Sequence, residues 1–246
     1  MIVSAYADPA GSARQQYRCA APSEVTRMLN PLPRTGQRLL SGEPLKIVAI
    51  GSSSTAGAGA TSDANTYPSR LFAELSALFP EHQITVINRG VNGDEARGML
   101  ARLDKDVIAE NPDLVLWQVG TNSVLRDDPI APAGRLIHEG LQRLKASGAD
   151  VVLIDPQYAP KVLAKTDAPK MVDLLAHAAK SLNVDLFRRF AIMQHWRDAE
   201  RIPFQVFISE DELHMNDWSY RCVAKLLAGS IAEAATRSAL TASTAR

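Results

Sequence analysis

The chain has 246 residues, 46% of them hydrophobic, and its 27 Lys+Arg balance 27 Asp+Glu to a formal net charge of zero. That length fits one α/β domain, or two small ones, with a substantial core, and the neutral balance removes the attraction that nucleic acid or an anionic membrane would need. No apolar run approaches the roughly 20 residues of a bilayer-spanning helix.

Residues 1–43 read as an arm rather than a domain. Pro9, Pro22, Pro31 and Pro33 punctuate it, Pro44 follows, and only Glu24 to Leu29 suggests a short helix. Ala5-Tyr6-Ala7 has the A-x-A form of a signal-peptidase site, without a charged n-region or apolar h-region before it. The arm also holds Cys19; the other cysteine, Cys222, lies near the far end. With no CxxC and no histidine at zinc spacing, two readings stand. Each cysteine is a small buried apolar residue, or the two form a disulfide in an oxidising compartment. The A-x-A form and that pairing together give the expectation of a periplasmic or secreted protein, with a cytoplasmic one as the alternative.

From Leu45 onward, short β-rich runs alternate with longer helical ones. Leu45 to Ile50 reads as a strand, Tyr67 to Phe79 as a helix, and Ile84 to Asn88 as a second strand. Asp94 can cap a helix whose apolar positions Met99, Leu100, Leu103 and Val107 follow helical spacing. Strand Leu114 to Val119, helix Ala133 to Ala146, strand Val151 to Asp155 and helix Lys170 to Leu182 come next. A fifth short strand fits Val184 to Leu186, and Asp217 to Ala235 closes the domain as a helix. The domain is expected to run over 44–236, and the small, polar residues 237–246 to form a flexible tail. Alternation of this kind, with strands too apolar to have one wet face, predicts a parallel sheet covered by helices on both sides. Ligands then gather at the C-terminal strand ends, in loops 51–59, 89–94, 120–126, 156–161 and 209–216.

The first of these loops is Gly51-Ser52-Ser53-Ser54-Thr55-Ala56-Gly57-Ala58-Gly59. It lacks the Lys of a phosphate-binding P-loop, and Ser62 occupies the third glycine of a dinucleotide fingerprint. Three serines at a strand end leave room for a nucleophile on a sharp turn. A serine nucleophile needs a base. Of His82, His138, His177, His195 and His214, only the last falls in a strand-end loop, three residues after Asp211. One turn of chain can bring that carboxylate to the imidazole, fixing its tautomer and stabilising the imidazolium. Glu210 and Glu212 flank Asp211 as competing partners. Oxyanion donors are available at Gly93, before a helix N-terminus, at the Asn122 side chain, and at the nucleophile's own N–H.

Together, Gly51-Ser52-Ser53-Ser54-Thr55-Ala56-Gly57, Asn88-x-Gly90-x-x-Gly93-Asp94, Gly120-Thr121-Asn122 and Asp211-x-x-His214-x-Asn216 resemble the four sequence blocks of the SGNH hydrolases, also called GDSL esterases and lipases. The resemblance covers about residues 45–230. It implies a flavodoxin-like three-layer α/β/α sandwich around a parallel sheet of about five strands. It also implies Ser53 as nucleophile, Asp211 and His214 as acid and base, and Ser53, Gly93 and Asn122 as the oxyanion hole. No metal or cofactor is implied. The chain departs from the pattern at Ser52 and Ser54, where the family has Asp and Leu around the nucleophile, and at Met215, where it has Pro; the last change predicts a less rigid loop.

The substrate is less legible. Gln157 and Tyr158 are candidates to line the acyl or alcohol pocket. Trp218 and Tyr220 are candidates to stack on a sugar, against a competing reading as core, which also suits Trp117. No lid-like insertion is visible, which argues against a large fatty-acyl pocket. The reading is therefore a short-chain carbohydrate esterase, an O-deacetylase, acting on a small-molecule or polysaccharide ester. The alternatives are a lipase or acyl-thioesterase of the same fold and a silent carbohydrate-binding module.

Overall fold

The computed structural model describes residues 17–244. The Ala5-Tyr6-Ala7 stretch lies outside the described residues. The chain begins with helices α1 (Ser23–Thr26) and α2 (Pro33–Ser41), then strand β1 (Leu45–Gly51), the single turn α3 (Ser53–Ala56) and helix α4 (Tyr67–Leu78). Strand β2 (Ile84–Gly90), helix α5 (Ala96–Asp106), strand β3 (Leu114–Gln118), α6 (Thr121–Leu125) and α7 (Ile130–Ala146) follow. Strand β4 (Asp150–Ile154), α8 (Pro160–Leu163), α9 (Ala168–Leu182), strand β5 (Asp185–Phe187), α10 (Arg189–Asp198), α11 (Phe204–Phe207) and α12 (Asp217–Thr244) complete it.

The five strands are all parallel, in the order β2-β1-β3-β4-β5. Helices α2, α4 and α12 pack together on one face; α5, α7 and α9 pack together on the other. The result is the expected three-layer sandwich. Its central strands are apolar because both of their faces are covered: Ile47, Val48, Ala49 and Ile50 of β1 and Leu114, Val115, Leu116 and Trp117 of β3 are each 0% exposed. The edge strand β2 is only partly buried beyond Ile84, which fits Thr85, Asn88 and Arg89 in its sequence.

The chain order reverses direction between β1 and β3, since β2 lies outside β1 and all later strands lie beyond β3. Such a switch point opens a crevice at the carboxyl ends of those two strands. Ser53 follows one and Asn122 the other.

Both ends of the chain differ from expectation. Residues 33–41 of the expected arm form α2, which begins with Pro33 at its first position and ends on Gly42 at φ 71°. Proline supplies a preset φ and lacks only an N–H that the helix start leaves unpaired anyway, so a Pro that looked like punctuation starts a helix. The last helix continues through Thr244, past the point at which a tail was expected. Cys19 and Cys222 are joined in a disulfide that ties the N-terminal segment to α12 across 203 residues of sequence. Beside it, the Trp196 indole N–H donates to the Ala20 carbonyl at 2.8 Å. Among the described residues, no helix is long and apolar enough to cross a membrane.

Candidate active site

β1 leaves the core at Gly51, and Ser53 is the first residue of α3. The structure separates the three adjacent serines. Ser52 is buried, its N–H and hydroxyl both donating to Gln118 Oε1 at 2.9 and 3.0 Å. Ser54 is buried against Gln157. Ser53 alone stands open to the crevice, with its Oγ 2.8 Å from His214 Nε2.

His214 is held in turn by Asp211, whose Oδ2 lies 2.5 Å from Nδ1. The other carboxylate oxygen accepts the N–H groups of Leu213 and His214 at 3.0 and 2.9 Å, so Asp211 shapes the loop and orients the imidazole at once. Partial burial works to raise the Asp211 carboxyl. The hydrogen bonds from the His214 ring and from the two N–H groups outweigh it and hold the carboxyl below its ordinary range. Glu210 and Glu212 are exposed, and neither side chain contacts His214.

The loop carrying the histidine is clamped on both sides. Ser209 N–H donates to the His214 carbonyl, Met215 pairs with Ile208 in an antiparallel bridge, and the Met215 side chain is 0% exposed. Asn216 then accepts from the N–H groups of Trp218 and Ser219 at the start of α12 and donates to the Val206 carbonyl. At Met215, where the resemblance expects proline, a buried side chain and a paired backbone hold the turn.

Two of the oxyanion candidates meet at the turn before α5. Asn122 Nδ2 donates one hydrogen to the Asp94 carbonyl at 2.8 Å, leaving its second N–H for another acceptor. Gly93 lies in the left-handed region at φ 76°, a conformation that glycine adopts without strain. Arg126 bonds the Gly93 carbonyl at 2.9 Å and pairs with Glu95. Ser53, at the first position of a helical turn, has an N–H that the turn itself cannot satisfy. These are suitable donors for a developing negative charge.

Several residues that the sequence reading overlooked hold these loops in place. Asn88 donates to the Thr55 carbonyl and accepts Gly90 N–H, fastening the end of β2 to α3. The approach is so close that a Cβ on Gly90 would lie 2.1 Å from the Ala56 nitrogen. Arg102 on α5 binds the Asp94 carboxylate at 2.9 Å and the Arg89 and Gly51 carbonyls at 2.9 and 3.3 Å. It thereby ties together the ends of β1 and β2 and the Gly93 turn. Nothing in the sequence distinguishes it from the other basic residues of α5, Arg97 and Lys105.

Two of the three proposed substrate-lining residues are placed elsewhere. Gln157 is 1% exposed and bonded on every side, so it lines no pocket. Trp218 is 4% exposed and packs edge-on to Trp196 with ring centroids 5.1 Å apart, which makes it core. Its companion Tyr220 is buried too, its hydroxyl donating to the Ala58 carbonyl at 2.7 Å. Tyr158 is half-buried between Phe190 and Phe204, with centroids 5.0 and 6.1 Å away. Phe204, which it backs, faces an open groove of about 950 Å³ that also takes in Gly59, Pro160, Ser209 and Asp211. This groove runs along the acid side of the Ser53–His214–Asp211 line.

The chain matches the family model described as non-GDSL lipase-like over residues 18–237. It is 30% identical to an arylesterase of Vibrio mimicus over 146 residues, which cover 59% of this chain and 70% of that protein. It is 44% identical to an acetylxylan esterase of Geobacillus stearothermophilus over 52 residues, 21% of this chain and 24% of that one. A two-domain esterase active on acetylated mannans superposes with a TM-score of 0.72 at 21% identity, over 86% of this chain and 56% of the other. The matched stretches thus span about a quarter of the acetylxylan esterase and just over half of the mannan-active one. At 21% identity the superposition speaks for the fold alone. The family match extends from the segment before α1 into α12 and so takes in every loop at the crevice: this chain belongs to the non-GDSL lipase-like family of the SGNH hydrolases.

Proposed function

We propose that this protein is a serine ester hydrolase that removes short acyl groups, acetyl first among them, from carbohydrate. One observation carries the reading: a half-buried serine just after β1 lies 2.8 Å from an imidazole nitrogen whose other nitrogen lies 2.5 Å from a carboxylate. In this mechanism Ser53 Oγ attacks the ester carbonyl carbon while His214 Nε2 takes its proton. The carbonyl oxygen becomes an oxyanion received by the N–H groups of Ser53, Gly93 and Asn122. Collapse of the tetrahedral intermediate expels the alcohol, protonated by His214, and leaves an acyl-Ser53 ester. Water, deprotonated by the same imidazole, releases the acid and restores Ser53. Asp211 keeps the tautomer and offsets the imidazolium charge.

The carbohydrate part rests on other support. The groove beside Asp211 is open and has an aromatic ring, Phe204, on its wall, which suits a sugar chain better than a long acyl tail. Two relatives named above act on acetylated polysaccharide. The Cys19–Cys222 disulfide supports a periplasmic or secreted location, where such polymers are met.

The test is hydrolysis of 4-nitrophenyl acetate, butyrate and octanoate together with acetylated xylo- and manno-oligosaccharides. Acetyl release from the oligosaccharides, absent in Ser53→Ala, is the expected result. A strong octanoate preference would overturn the carbohydrate assignment in favour of a lipase or thioesterase. Folded wild-type protein that no fluorophosphonate labels would overturn the enzyme reading in favour of a silent binding module.

A further inference from the structure

The mechanism needs four separate loops in register: the one after β1 with Ser53, the one after β2 with Gly93, the one after β3 with Asn122, and the one before α12 with His214. A fifth loop, after β4, contributes no reacting group, yet its Gln157 touches the immediate neighbours of Ser53, Asn122 and His214. Gln157 Oε1 accepts from Thr121 Oγ1 at 3.1 Å and from Ser54 Oγ at 3.4 Å. Gln157 Nε2 donates to the Leu213 carbonyl at 3.2 Å. Ser54 follows Ser53, Thr121 precedes Asn122 and Leu213 precedes His214.

The amide is itself held. Arg189 Nη2 donates to Gln157 Oε1 at 3.1 Å, and Arg189 Nε donates to the Asp155 carbonyl at 2.9 Å. A guanidinium can only donate and a main-chain carbonyl can only accept, so Arg189 and Leu213 between them fix which way the amide faces. Both Gln157 and Arg189 are buried, at 1% and 0% exposure. In such surroundings a lost partner is not replaced by bulk water, which gives the arrangement a steep cost for slipping. Gln118 offers a contrast nearby. It also accepts from several donors, but Ser52 and Thr55 both belong to the loop after β1, so from the end of β3 it braces that one loop.

We propose that Gln157 is the positioning residue of the site. It does not touch substrate; its planar amide sets the spacing between nucleophile, oxyanion donor and base, and its N–H to the Leu213 carbonyl is the link that registers His214 against the other two. The inference rests on the reading of Ser53 as nucleophile. A displacement of about 1 Å among reacting groups costs on the order of 10²-fold in rate, so removing this link slows chemistry while leaving the substrate groove intact.

Three variants test it. Gln157→Glu keeps an acceptor for Thr121, Ser54 and Arg189 but has no N–H for the Leu213 carbonyl. Gln157→Leu removes every bond of the amide. Thr121→Val removes one hydroxyl from the cluster and keeps Gln157. Each is followed by thermal melting, by the rate of fluorophosphonate labelling at Ser53, and by kcat and KM on 4-nitrophenyl acetate. The expected result is a kcat lower by about 10²-fold in Gln157→Glu and by about tenfold in Thr121→Val. KM stays within about twofold and labelling slows in step with kcat. Gln157→Leu is slower still or fails to fold, and the other two variants decide the matter in either case. If wild type is labelled at Ser53 and folded Gln157→Glu and Thr121→Val are labelled at the same rate, the positioning role is overturned while the esterase reading stands. A KM that rises as kcat falls, tracking a lower melting temperature, also overturns it, since that marks general loosening. Wild type that takes no label overturns both readings together.

Discussion

The two ends of the sheet are both polar, and they use polarity in opposite ways. At the amino ends of the strands, carboxylates are consumed by the N-terminal segment. Asp113, before β3, accepts from Arg34, Arg38 and the Lys46 N–H at 2.9, 2.9 and 3.0 Å. Asp150 takes the N–H and hydroxyl of Thr35, and Asp185 takes the N–H groups of Leu29 and Asn30. At the carboxyl ends, buried amides and hydroxyls hold one another, and the Ser53 hydroxyl and the Asn122 amide are left facing the crevice. The first end is a latch with its carboxylates bonded by the N-terminal segment; the second is a frame around Ser53, Asn122 and His214, the groups proposed to act on the ester. Polar groups at the crevice are therefore braced by buried neighbours such as Gln118 and Gln157, whose amide oxygens each accept several protein donors.

Substitutions at the two ends should separate rate from stability. The largest expected effect is Ser53→Ala, which should lower kcat by about 10⁴-fold or more and leave the melting temperature unchanged. Adding His214→Ala should cost little further, as groups acting as a unit do; steady-state kinetics on 4-nitrophenyl acetate checks both. Asn122→Ala should lower kcat by about 10² to 10³-fold through loss of an oxyanion donor, with KM nearly constant.

Cutting the disulfide in the double variant Cys19→Ser, Cys222→Ser should reduce stability by about 2–4 kcal/mol in urea unfolding with kcat preserved. Asp113→Ala should cost about 1–3 kcal/mol, the penalty for leaving the Lys46 N–H and the Nε–H groups of Arg34 and Arg38 without their acceptor, again with kcat preserved. A fall in kcat there, at constant stability, would break the division between the two ends.

The smallest effect concerns pH and has opposite signs at two carboxyls, Asp113 and Asp155. Burial works to raise the Asp113 carboxyl, but Lys46 N–H, Arg38 and Arg34 outweigh it and leave it lowered. Its contribution to stability is present above the ordinary carboxylate range and is lost as pH falls through the lowered value. At the carboxyl end, burial pushes Asp155 up to about 7, against the opposing Phe190 N–H and the Arg189 charge. Its contribution is complete below the unfolded value near about 4 and is lost as pH rises through about 7. Melting temperatures of Asp155→Asn should therefore vary less than wild type between these values, whereas Asp113→Ala should flatten the acid limb instead.

Much of this architecture was legible in the sequence because it depends on local periodicity. β1 and β3 could be read from uninterrupted apolar runs, since strands covered on both faces need no polar alternation. Helix α10 was missed: Arg189 is a fully buried cation at its first position, so its pattern does not show a clean wet face. Helix α2 was missed because Pro33 was read as a break rather than a start. Block spacing carried the resemblance to the SGNH hydrolases, but three adjacent serines could not be told apart by any sequence argument. Burial of Ser52 on Gln118 and of Ser54 on Gln157 distinguishes them. Gln157 was misplaced for a related reason: its loop position was visible, but the direction of its side chain was not.

The amino-acid sequence alone determined the alternation of strands and helices and the strand-end position of each motif, and it set Asp211 three residues before His214 with Glu210 and Glu212 as competitors. Only the tertiary structure decided which serine meets that histidine, how the N-terminal segment latches the far end of the sheet, and that a single buried glutamine joins three loops. Hydrophobic periodicity and short-range spacing are properties of neighbours along the chain. Buried polar bonds join residues many tens of positions apart, and their geometry exists only once the crevice between β1 and β3 has closed around them.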